Sequence, residues 1–504
     1  MSARIYVTEP GHTGGVGAIG MRVLVQSLRA AGHDVTRVRL FKAQADADEQ
    51  GSLFARDTEK VVDHTWLAKP SAWFVSLLYV RMYLDLRDMF ERMGVPMRSA
   101  DRSPSDPLIA FGGQATIAPE PFADFADVIA LGDGELTGGR IAEMLAAGAG
   151  RLDIMRELAG EPGFYVPSRG VAPFHRWESE SYTAVTIEEG KTPTIELARG
   201  CASKCAFCRI GWAGGTYREA PRDQVKAAVM LAGKGKANLF APDYSSVSWV
   251  EDLEAFTEAV GCRNTGRDAR ADAAHKHLKS GRGVKQYSFG VEGVSERLRA
   301  AVGKPLRAEK LIETMSLLAG AGVGHVKWYM LFGLPGEEQR DHDEFYDLLR
   351  ETRKVYGGAL NIMPSQAKGL PHTPLERVSN RYQQDAHDRY QALRAWCKER
   401  WDDQKRLVLS YKGRELHEHD CALIRGTREA ARYIETAKES GVASGRWRET
   451  LDESVLGEIA PDAATPWDHV HAGPPRALRD KALATYWRTM RRVSLPVASP
   501  SEAA

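Results

Sequence analysis

Three cysteines within eight residues, Cys201, Cys205 and Cys208, constrain this 504-residue chain more than any other feature. Three thiolates at this spacing can bind an iron–sulfur cluster and leave one iron without a protein ligand. A structural zinc ion needs four ligands, and the twenty residues on either side contain no further Cys or His. A zinc site, or three unliganded thiols on a loop, is the alternative. Residues 192–197 predict a short strand that Gly200 interrupts, so we expect the cysteines just beyond the carboxyl end of a strand.

The composition is typical of a soluble globular protein with about two to four domains. Hydrophobic residues make up 43% of the chain and the formal net charge is +1, so no global field favours nucleic acid or an anionic membrane. The sequence has no amino-terminal signal segment and no apolar run of about 18 residues, which predicts a cytoplasmic protein without a membrane partner. Six cysteines, half of them clustered, fit a reducing compartment and a metal site.

Residues 1–148 alternate strand and helix patterns, which predicts a doubly wound, Rossmann-like α/β domain. The predicted strands are residues 5–8, 35–41, 73–80, 108–111 and 128–131, and the predicted helices are 18–31 and 82–93. Glycine turns follow several of these strands, at the edge where such sheets bind ligands. We expect a linker at residues 149–190.

Residues 191–378 contain six further strand patterns that alternate with helices, which predicts a partial (β/α)6 barrel. The predicted strands are 195–197, 238–241, 269–272, 287–291, 326–332 and 360–363, and the predicted helices are 222–232, 250–260, 295–301, 309–321 and 342–355. Chemistry in such barrels takes place at the carboxyl ends of the strands. Residues 379–504 predict a helical region, which we expect to cap the barrel and shape a substrate pocket.

The cysteine spacing CxxxCxxC, with Phe207 before the last cysteine, resembles the hallmark of the radical S-adenosylmethionine superfamily. The segment GLPGE at residues 333–337 resembles the end of strand five in the same superfamily. The resemblance implies that the three cysteines bind a 4Fe-4S cluster and that S-adenosylmethionine chelates the open iron. It implies that an electron from the cluster yields a 5′-deoxyadenosyl radical, and that a flavodoxin or ferredoxin acts as external electron donor.

Polar residues at the ends of strands two, three and four are predicted to bind S-adenosylmethionine. Asp243 and Ser245 follow strand two, where related enzymes hold the amino group or ribose of this cofactor. Arg270 and Asp272 lie in the predicted third strand as Ala-Arg-Ala-Asp, which resembles the SxRxD pattern of the superfamily. Glu292 ends strand four. An internal Arg–Asp pair is the alternative for the third strand, and an acid at a helix amino terminus is the alternative for Glu292.

Three side chains are predicted to act in catalysis. Lys327 and Tyr329 share one face of strand five by the two-residue period, and they are site residues if that face is the barrel interior. The segment KGLPHTP at residues 368–374 resembles the PKPHTP turn of a radical subgroup that carries a cobalamin domain. His372 in that turn is predicted to act as acid or base, because its ordinary pKa lies near neutrality. A structural role in a proline-fixed turn is the alternative.

Residues 12–15 (HTGG), 76–78 (SLL) and 112–113 (GG) occur in the order of the DxHxxG…SxL…GG pattern of cobalamin-binding domains, which they resemble. In that family small residues leave room for the nucleotide tail, and the corrin lies over the strand ends. The resemblance implies that the cobalamin-binding residues are His12, Gly15, Ser76, Gly112 and Gly113.

Other interpretations of this domain remain open. Pro10 stands where the pattern has Asp, so no obvious residue orients His12 as an axial ligand. His12 as a turn residue and cobalamin without a protein ligand to the metal are both alternatives. Residues 15–20 also match GxGxxG, which leaves a nicotinamide or flavin dinucleotide to consider. A Rossmann-like domain that has lost its ligand is the last alternative.

The two resemblances together predict a cobalamin-dependent radical S-adenosylmethionine enzyme, most simply a C-methyltransferase acting on a small molecule or biosynthetic intermediate. A second hypothesis keeps both cofactors for a rearrangement, cyclisation or sulfur insertion. A third is an enzyme that modifies RNA or protein with a similar barrel, although the lack of a basic recognition domain disfavours RNA. A non-enzymatic iron–sulfur protein is the outermost alternative.

Overall fold

The computed structural model describes residues 2–10, 19–40, 58–61, 69–180, 186–187, 192–265, 268–273, 286–400, 407–409, 413–437 and 442–492. The chain divides into two compact units. Unit 1 comprises Met1–Glu196, Ala213–Ala228 and Arg414–Gly473, and unit 2 comprises Leu197–Trp212, Val229–Gly413 and Pro474–Ala504. In the described part of the chain, no helix is both long and apolar enough to cross a membrane.

A sheet of seven strands forms the centre of unit 1 in the part of the chain that the structure describes. Its strands are β1 (Arg4–Thr8), β2 (Asp34–Leu40), β3 (Thr58–Val61), β4 (Ala72–Ser76), β5 (Leu108–Gly112), β6 (Val128–Ala130) and β7 (Phe164–Tyr165). They lie in the order β3-β2-β1-β4-β5-β6-β7, and β7 alone among them runs antiparallel to its neighbour. The order reverses between β1 and β4, and doubly wound sheets bind ligands at such a switch point.

The remaining strands of the described residues are two to eight residues long. They are β8 (Phe174–His175), β9 (Thr186–Ile187), β10 (Thr194–Glu196), β11 (Ala198–Arg199), β12 (Arg218–Glu219), β13 (Lys236–Phe240), β14 (Arg263–Asn264), β15 (Asp268–Ala269), β16 (Gln286–Glu292), β17 (His325–Phe332), β18 (Ala359–Gln366), β19 (Leu407–Leu409) and β20 (Val470–His471). In unit 2, β13 pairs in parallel with β14, and β15 to β19 form a second parallel sheet in chain order.

Helices alternate with the strands, as predicted. Those of the described residues are α1 (Ile19–Ala30), α2 (Leu86–Met93), α3 (Gly134–Ala146), α4 (Arg151–Glu157), α5 (Arg209–Ala213), α6 (Arg222–Ala232), α7 (Val250–Val260), α8 (Glu296–Ala301), α9 (Ala308–Gly320), α10 (Gln339–Val355), α11 (Gln384–Arg400), α12 (Arg414–Arg425), α13 (Ala430–Thr436) and α14 (Arg476–Arg492). In α1, Met21, Val25 and Leu28 recur every three or four residues and are buried in the core of unit 1. The predicted fold class, an α/β protein with a Rossmann-like domain, a second set of parallel strands with helices between them and a helical carboxyl-terminal region, is confirmed.

Three strands are shorter in the structure than predicted, and one of them, β6, ends only one residue early, at Ala130. The strand predicted at residues 73–80 ends at Ser76, because the chain turns into a 3-10 helix that begins at Val80. The strand predicted at residues 269–272 ends at Ala269, because the Arg270 amide donates to the Ser245 hydroxyl (3.0 Å). Arg270 and Asp272 therefore follow a strand instead of lying within one.

The two faces of the β15–β19 sheet differ in burial. One face carries side chains such as Phe289, Trp328 and Ile362, which pack in a single core with Leu311 of α9 and Leu349 of α10. The alternate residues of β16, β17 and β18 are less buried and form what we call the inner face. Its members are Gln286, Ser288, Gly290, His325, Lys327, Tyr329, Leu331, Ala359, Asn361, Met363 and Ser365.

Candidate functional site

The cysteine loop of unit 2, residues 201–208, lies just beyond β11 and is held by backbone hydrogen bonds. The Cys205 carbonyl accepts from the Cys208 amide (2.9 Å) and from the Trp212 indole (3.1 Å). The amide that follows Cys205 donates to the Val302 carbonyl (2.9 Å). The loop conformation is therefore tied both to α5 and to the segment after α8.

The cysteine side chains are partly or fully buried and share one electrostatic environment. Burial raises the pKa of Cys201 and raises the pKa of Cys205 to about 11, although the charge of Lys304 opposes the rise at Cys205. A bound metal centre would instead keep coordinating thiols deprotonated. The described residues contain no group of three or more His, Cys, Asp or Glu side chains placed to hold a single metal ion. A donor set of three sulfurs from one loop, with a lysine beside it, fits a cluster that has one open iron.

The residues predicted at strand ends two and three lie together near this loop. The Asp243 carboxylate accepts the Ser245 amide (3.0 Å), and the Ser245 hydroxyl accepts the Arg270 amide (3.0 Å). The Arg270 guanidinium binds both oxygens of Asp272, at 3.0 and 2.9 Å, so the internal pair is present. Burial alone would raise the pKa of Asp272. The hydrogen bonds and the charge of Arg270 have the larger effect and hold this pKa below its ordinary value. The charges of Asp243 and Arg270 also act on the pKa values of the cysteines.

Glu292 ends β16, as predicted, and has a φ of 70°. A side chain in this region costs about 1–3 kcal/mol, and such strain is concentrated at functional sites. Burial raises the pKa of Glu292, and the Lys304 amine, 3.2 Å away, offsets this only in part. The cap of α8 is Ser295, whose hydroxyl accepts the Leu298 amide, so Glu292 is not the acid at the amino terminus of that helix.

Lys304 is a residue of the site that motif analysis misses. It lies 12 positions after Glu292 in the chain and pairs with that carboxylate. The SxRLRxxxxK-like sequence of residues 295–304 was the available signal, but it does not say which side chain the lysine meets. That pairing depends on how the segment after α8 folds back on β16.

Lys327 and Tyr329 lie on the inner face, which the two-residue period predicts. The Lys327 amine is 5.9 Å from the centroid of the Tyr329 ring, and Tyr329 is 42% exposed. Trp328 between them points into the core. Both side chains are thus available to a ligand, and their part in catalysis stays a prediction.

His372 lies in a buried, tightly held turn and has a φ of 62°. Its amide donates to the Glu376 carboxylate (2.7 Å), which also accepts from Arg479 of α14 (3.1 Å). The Asn380 side chain pairs with both the amide and the carbonyl of Gly369 in the same turn. This environment favours the structural alternative for His372, and an acid–base role stays a prediction.

Glu337, the last residue of the GLPGE segment, closes the turn after β17. One carboxylate oxygen accepts the amides of Gly333 (2.9 Å) and Leu334 (3.3 Å), and the other lies 2.7 Å from the His342 Nε2. Gly333 has a φ of 74°, which favours glycine at that position. The motif therefore forms the turn that follows β17, and Glu337 stabilises this turn by accepting hydrogen bonds from its backbone amides.

In unit 1, Ser76 and Gly112 end β4 and β5 as register partners. Gly113 has a φ of 102°, and a Cβ there would collide with the Leu77 carbonyl. A Cβ on Gly112 would meet no described atom within 4 Å. The SxL and GG segments thus pack against each other, and among the described residues none approaches the Cβ position of Gly112. His12 and Gly15, the other two residues of the pattern, lie outside the described residues.

Family comparisons agree with this geometry. Residues 195–349 match the family described as the radical SAM superfamily, and residues 20–167 match the one described as radical SAM proteins, N-terminal. This chain belongs to the radical SAM superfamily. Radical SAM enzymes use a 4Fe-4S cluster and S-adenosylmethionine. That Cys201, Cys205 and Cys208 ligate the cluster in this chain stays a prediction.

Several curated relatives match part of this radical SAM chain. An uncharacterized protein of Methanocaldococcus jannaschii is 24% identical over 286 residues, which cover 54% of this chain and 62% of the relative. The ribosomal protein uS12 methylthiotransferase RimO of Moorella thermoacetica is 26% identical over 43% of this chain and 55% of its own length. A tRNA-2-methylthio-N(6)-dimethylallyladenosine synthase of Chlorobium phaeovibrioides is 26% identical over 33% and 41%, respectively. The chain thus spans about half the length of these relatives.

Among solved structures, the chain is similar to the cobalamin-dependent S-adenosylmethionine radical enzyme OxsB with aqua-cobalamin and S-adenosylmethionine bound. The match has a TM-score of 0.50 at 13% identity and covers 98% of this chain and 80% of OxsB. The two proteins share a fold.

Proposed function

We propose that this radical SAM enzyme depends on cobalamin and methylates a carbon atom of a small molecule. The observation that carries the proposal is made at the ends of β4 and β5 in unit 1, beside the switch point of the sheet. No described atom lies within 4 Å of a Cβ built on Gly112, whereas Gly113 packs against the Leu77 backbone. Space at this edge suits the nucleotide tail and ring of a corrinoid. The shared fold with OxsB, a cobalamin-dependent enzyme, supports the same proposal.

Unit 2 would hold the other two cofactors. The cysteines would ligate three irons, and Phe207 packs against the core to anchor their loop. The residues proposed to bind S-adenosylmethionine are Asp243, Ser245, Arg270, Asp272 and Glu292. When bound, the cluster would supply the electron that cleaves S-adenosylmethionine to a 5′-deoxyadenosyl radical, and methylcobalamin would supply the methyl group. The protein's task is to bind and orient these groups, and an external flavodoxin or ferredoxin would deliver the electrons.

Sulfur insertion is the strongest competing reaction, since one relative is a methylthiotransferase and another is a synthase of a 2-methylthio-modified nucleoside in tRNA. A cluster that served as sulfur donor would need thiolates beyond those of the cysteine loop. The first 200 residues contain no cysteine. The remaining Cys262, Cys397 and Cys421 are buried at separate positions, and burial raises the pKa of Cys397 to about 12. This distribution favours methyl transfer over sulfur insertion.

Anaerobic reconstitution with iron, sulfide and cobalamin tests the proposal. We expect about four irons per chain, bound corrinoid, and 5′-deoxyadenosine when the protein is reduced with S-adenosylmethionine. Replacing Cys201, Cys205 or Cys208 with alanine should abolish the iron and the 5′-deoxyadenosine. Cys262→Ala is the matched control and should retain both, because this buried thiol lies outside the loop.

The possible outcomes separate the parts of the proposal. If the protein binds four irons but no corrinoid, the proposed dependence on cobalamin is refuted. If it shows neither iron nor 5′-deoxyadenosine, the whole proposed function is refuted. With S-adenosylmethionine labelled by a deuterated methyl group, label in a product without an added sulfur atom supports methyl transfer, label together with an added sulfur atom supports sulfur insertion, and an unlabelled product supports rearrangement or cyclisation. Retention on RNA at moderate salt would support an RNA substrate instead.

A further inference from the structure

We infer that the inner face of unit 2 binds an anionic group of the substrate, a carboxylate or a phosphate, through Lys327 with Ser288 and Asn361. This inference deepens the proposed function and rests on it, because it takes the inner face of the radical SAM barrel as the place where substrate lies. It assigns a chemical class to a substrate that the fold alone leaves open.

The three side chains form one row across the sheet. Ser288 on β16 is the register partner of Lys327 on β17, which in turn is the register partner of Asn361 on β18. Adjacent strands are about 4.8 Å apart, so a single carboxylate or phosphate can reach all three side chains. An ammonium, a hydroxyl and an amide together supply the donors that such a group needs.

None of the three has a hydrogen-bond or ion-pair partner among the side chains that the structure describes. The Lys327 amine lies over the Tyr329 ring, 5.9 Å from its centroid. Other charges near the site are already paired, as Glu292 is with Lys304 and Asp272 is with Arg270. A half-buried lysine without a counter-charge is most stable when an anion binds beside it.

The Glu292 carboxylate and the Lys304 amine lie against the inner face at Gly290 and pair with each other, which leaves Lys327 there without a described counter-charge. The members of the inner face on β16, β17 and β18 include two basic residues, His325 and Lys327, and no Asp or Glu. A neutral or cationic substrate would leave the charge of Lys327 without a counter-charge. An anionic substrate would neutralise that charge.

Tyr329 extends the argument to the rest of the substrate. It lies two residues nearer the carboxyl end of β17, about 7 Å along the strand, and presents an exposed ring. Met363 is its register partner on β18. A flat or apolar part of the substrate would pack here, between the anionic group and the strand ends where the cysteine loop lies.

Chemical protection of Lys327 in the reconstituted full-length protein tests the inference. Acetylation of individual lysines is measured by peptide mass spectrometry with citrate as the carboxylate probe, tripolyphosphate as the phosphate probe, or neither. We expect one probe to protect Lys327 and to leave Lys310, which pairs with Glu313, unaffected. The probe that protects identifies the anion.

Calorimetric titration of the protecting probe into variants completes the test. Lys327→Met should weaken binding by about tenfold or more, because it removes a charge-assisted hydrogen bond, while Lys327→Arg keeps the charge and should bind within a few-fold. Unprotected Lys327 with both probes, or unchanged affinity in Lys327→Met, would overturn the inference. Protection by S-adenosylmethionine alone would also overturn it, because the site would then belong to that cofactor. Formation of 5′-deoxyadenosine by the same preparation reports on the proposed function independently.

Discussion

Replacing Gly113 with alanine should destabilise unit 1, whereas the same change at the neighbouring Gly112 should impair corrinoid binding and leave stability nearly intact. Gly112 ends β5 and Gly113 follows it, and the two glycines differ in what surrounds them. Comparing the two variants therefore distinguishes a glycine that the backbone conformation requires from a glycine that ligand binding requires.

The structure sets the size of the first effect. Gly113 has φ 102° and ψ 179°, a region that is almost exclusive to glycine and costs other residues about 1–3 kcal/mol. A Cβ would also displace the Leu77 carbonyl, which accepts the Ala115 amide at 2.9 Å, and the lost hydrogen bond adds about 0.5–1.5 kcal/mol. The free energy of unfolding should thus fall by about 2–4 kcal/mol.

For Gly112→Ala we expect a change within about 1 kcal/mol, because no described atom lies within 4 Å of the added Cβ. Its methyl group would instead enter the space proposed for the corrinoid. Urea unfolding of the apoprotein, followed by circular dichroism, measures stability, and the absorbance of retained cobalamin after gel filtration measures binding. Equal unfolding midpoints for the two variants would refute the backbone argument. Full corrinoid retention by Gly112→Ala would refute the assignment of the space.

Two further predictions concern buried polar groups in unit 2. Asn380→Ala should lower the free energy of unfolding by about 2–4 kcal/mol in thermal denaturation, because it leaves the buried amide and carbonyl of Gly369 unpaired; wild-type stability would contradict this. Burial opposes ionisation of Asp341, but Arg297 and Ser295 outweigh it and hold the pKa of Asp341 below its ordinary value. The stabilisation is therefore complete above the unfolded-state pKa and is lost as pH falls through the lower folded-state pKa. Unfolding free energies of wild type and Asp341→Asn should differ by about 3 kcal/mol at pH 7, and the difference should shrink as pH falls below about 3.9, the ordinary aspartate pKa; a constant difference would exclude this linkage.

Local patterns predicted most of the secondary structure. The helices predicted at residues 222–232 and 250–260 coincide with α6 and α7, because apolar spacing and turn residues act within one segment. The third barrel strand was overestimated, since its length is limited by the bond from the Arg270 amide to a serine hydroxyl 25 residues earlier in the chain. β19 lies outside the predicted strands because three apolar residues among charged ones carry little periodicity.

The sequence by itself determined the cysteine loop, its position after a strand and the alternation of faces on β17, because each depends on neighbours along the chain. Only the tertiary structure decided that the face with Lys327 and Tyr329 is the one that the helices leave uncovered. The pairing of Arg270 with Asp272, the approach of Lys304 to Glu292 and the row across β16, β17 and β18 were decided in the same way. These arrangements depend on strand register and helix packing, which bring distant segments together and which no local spacing records.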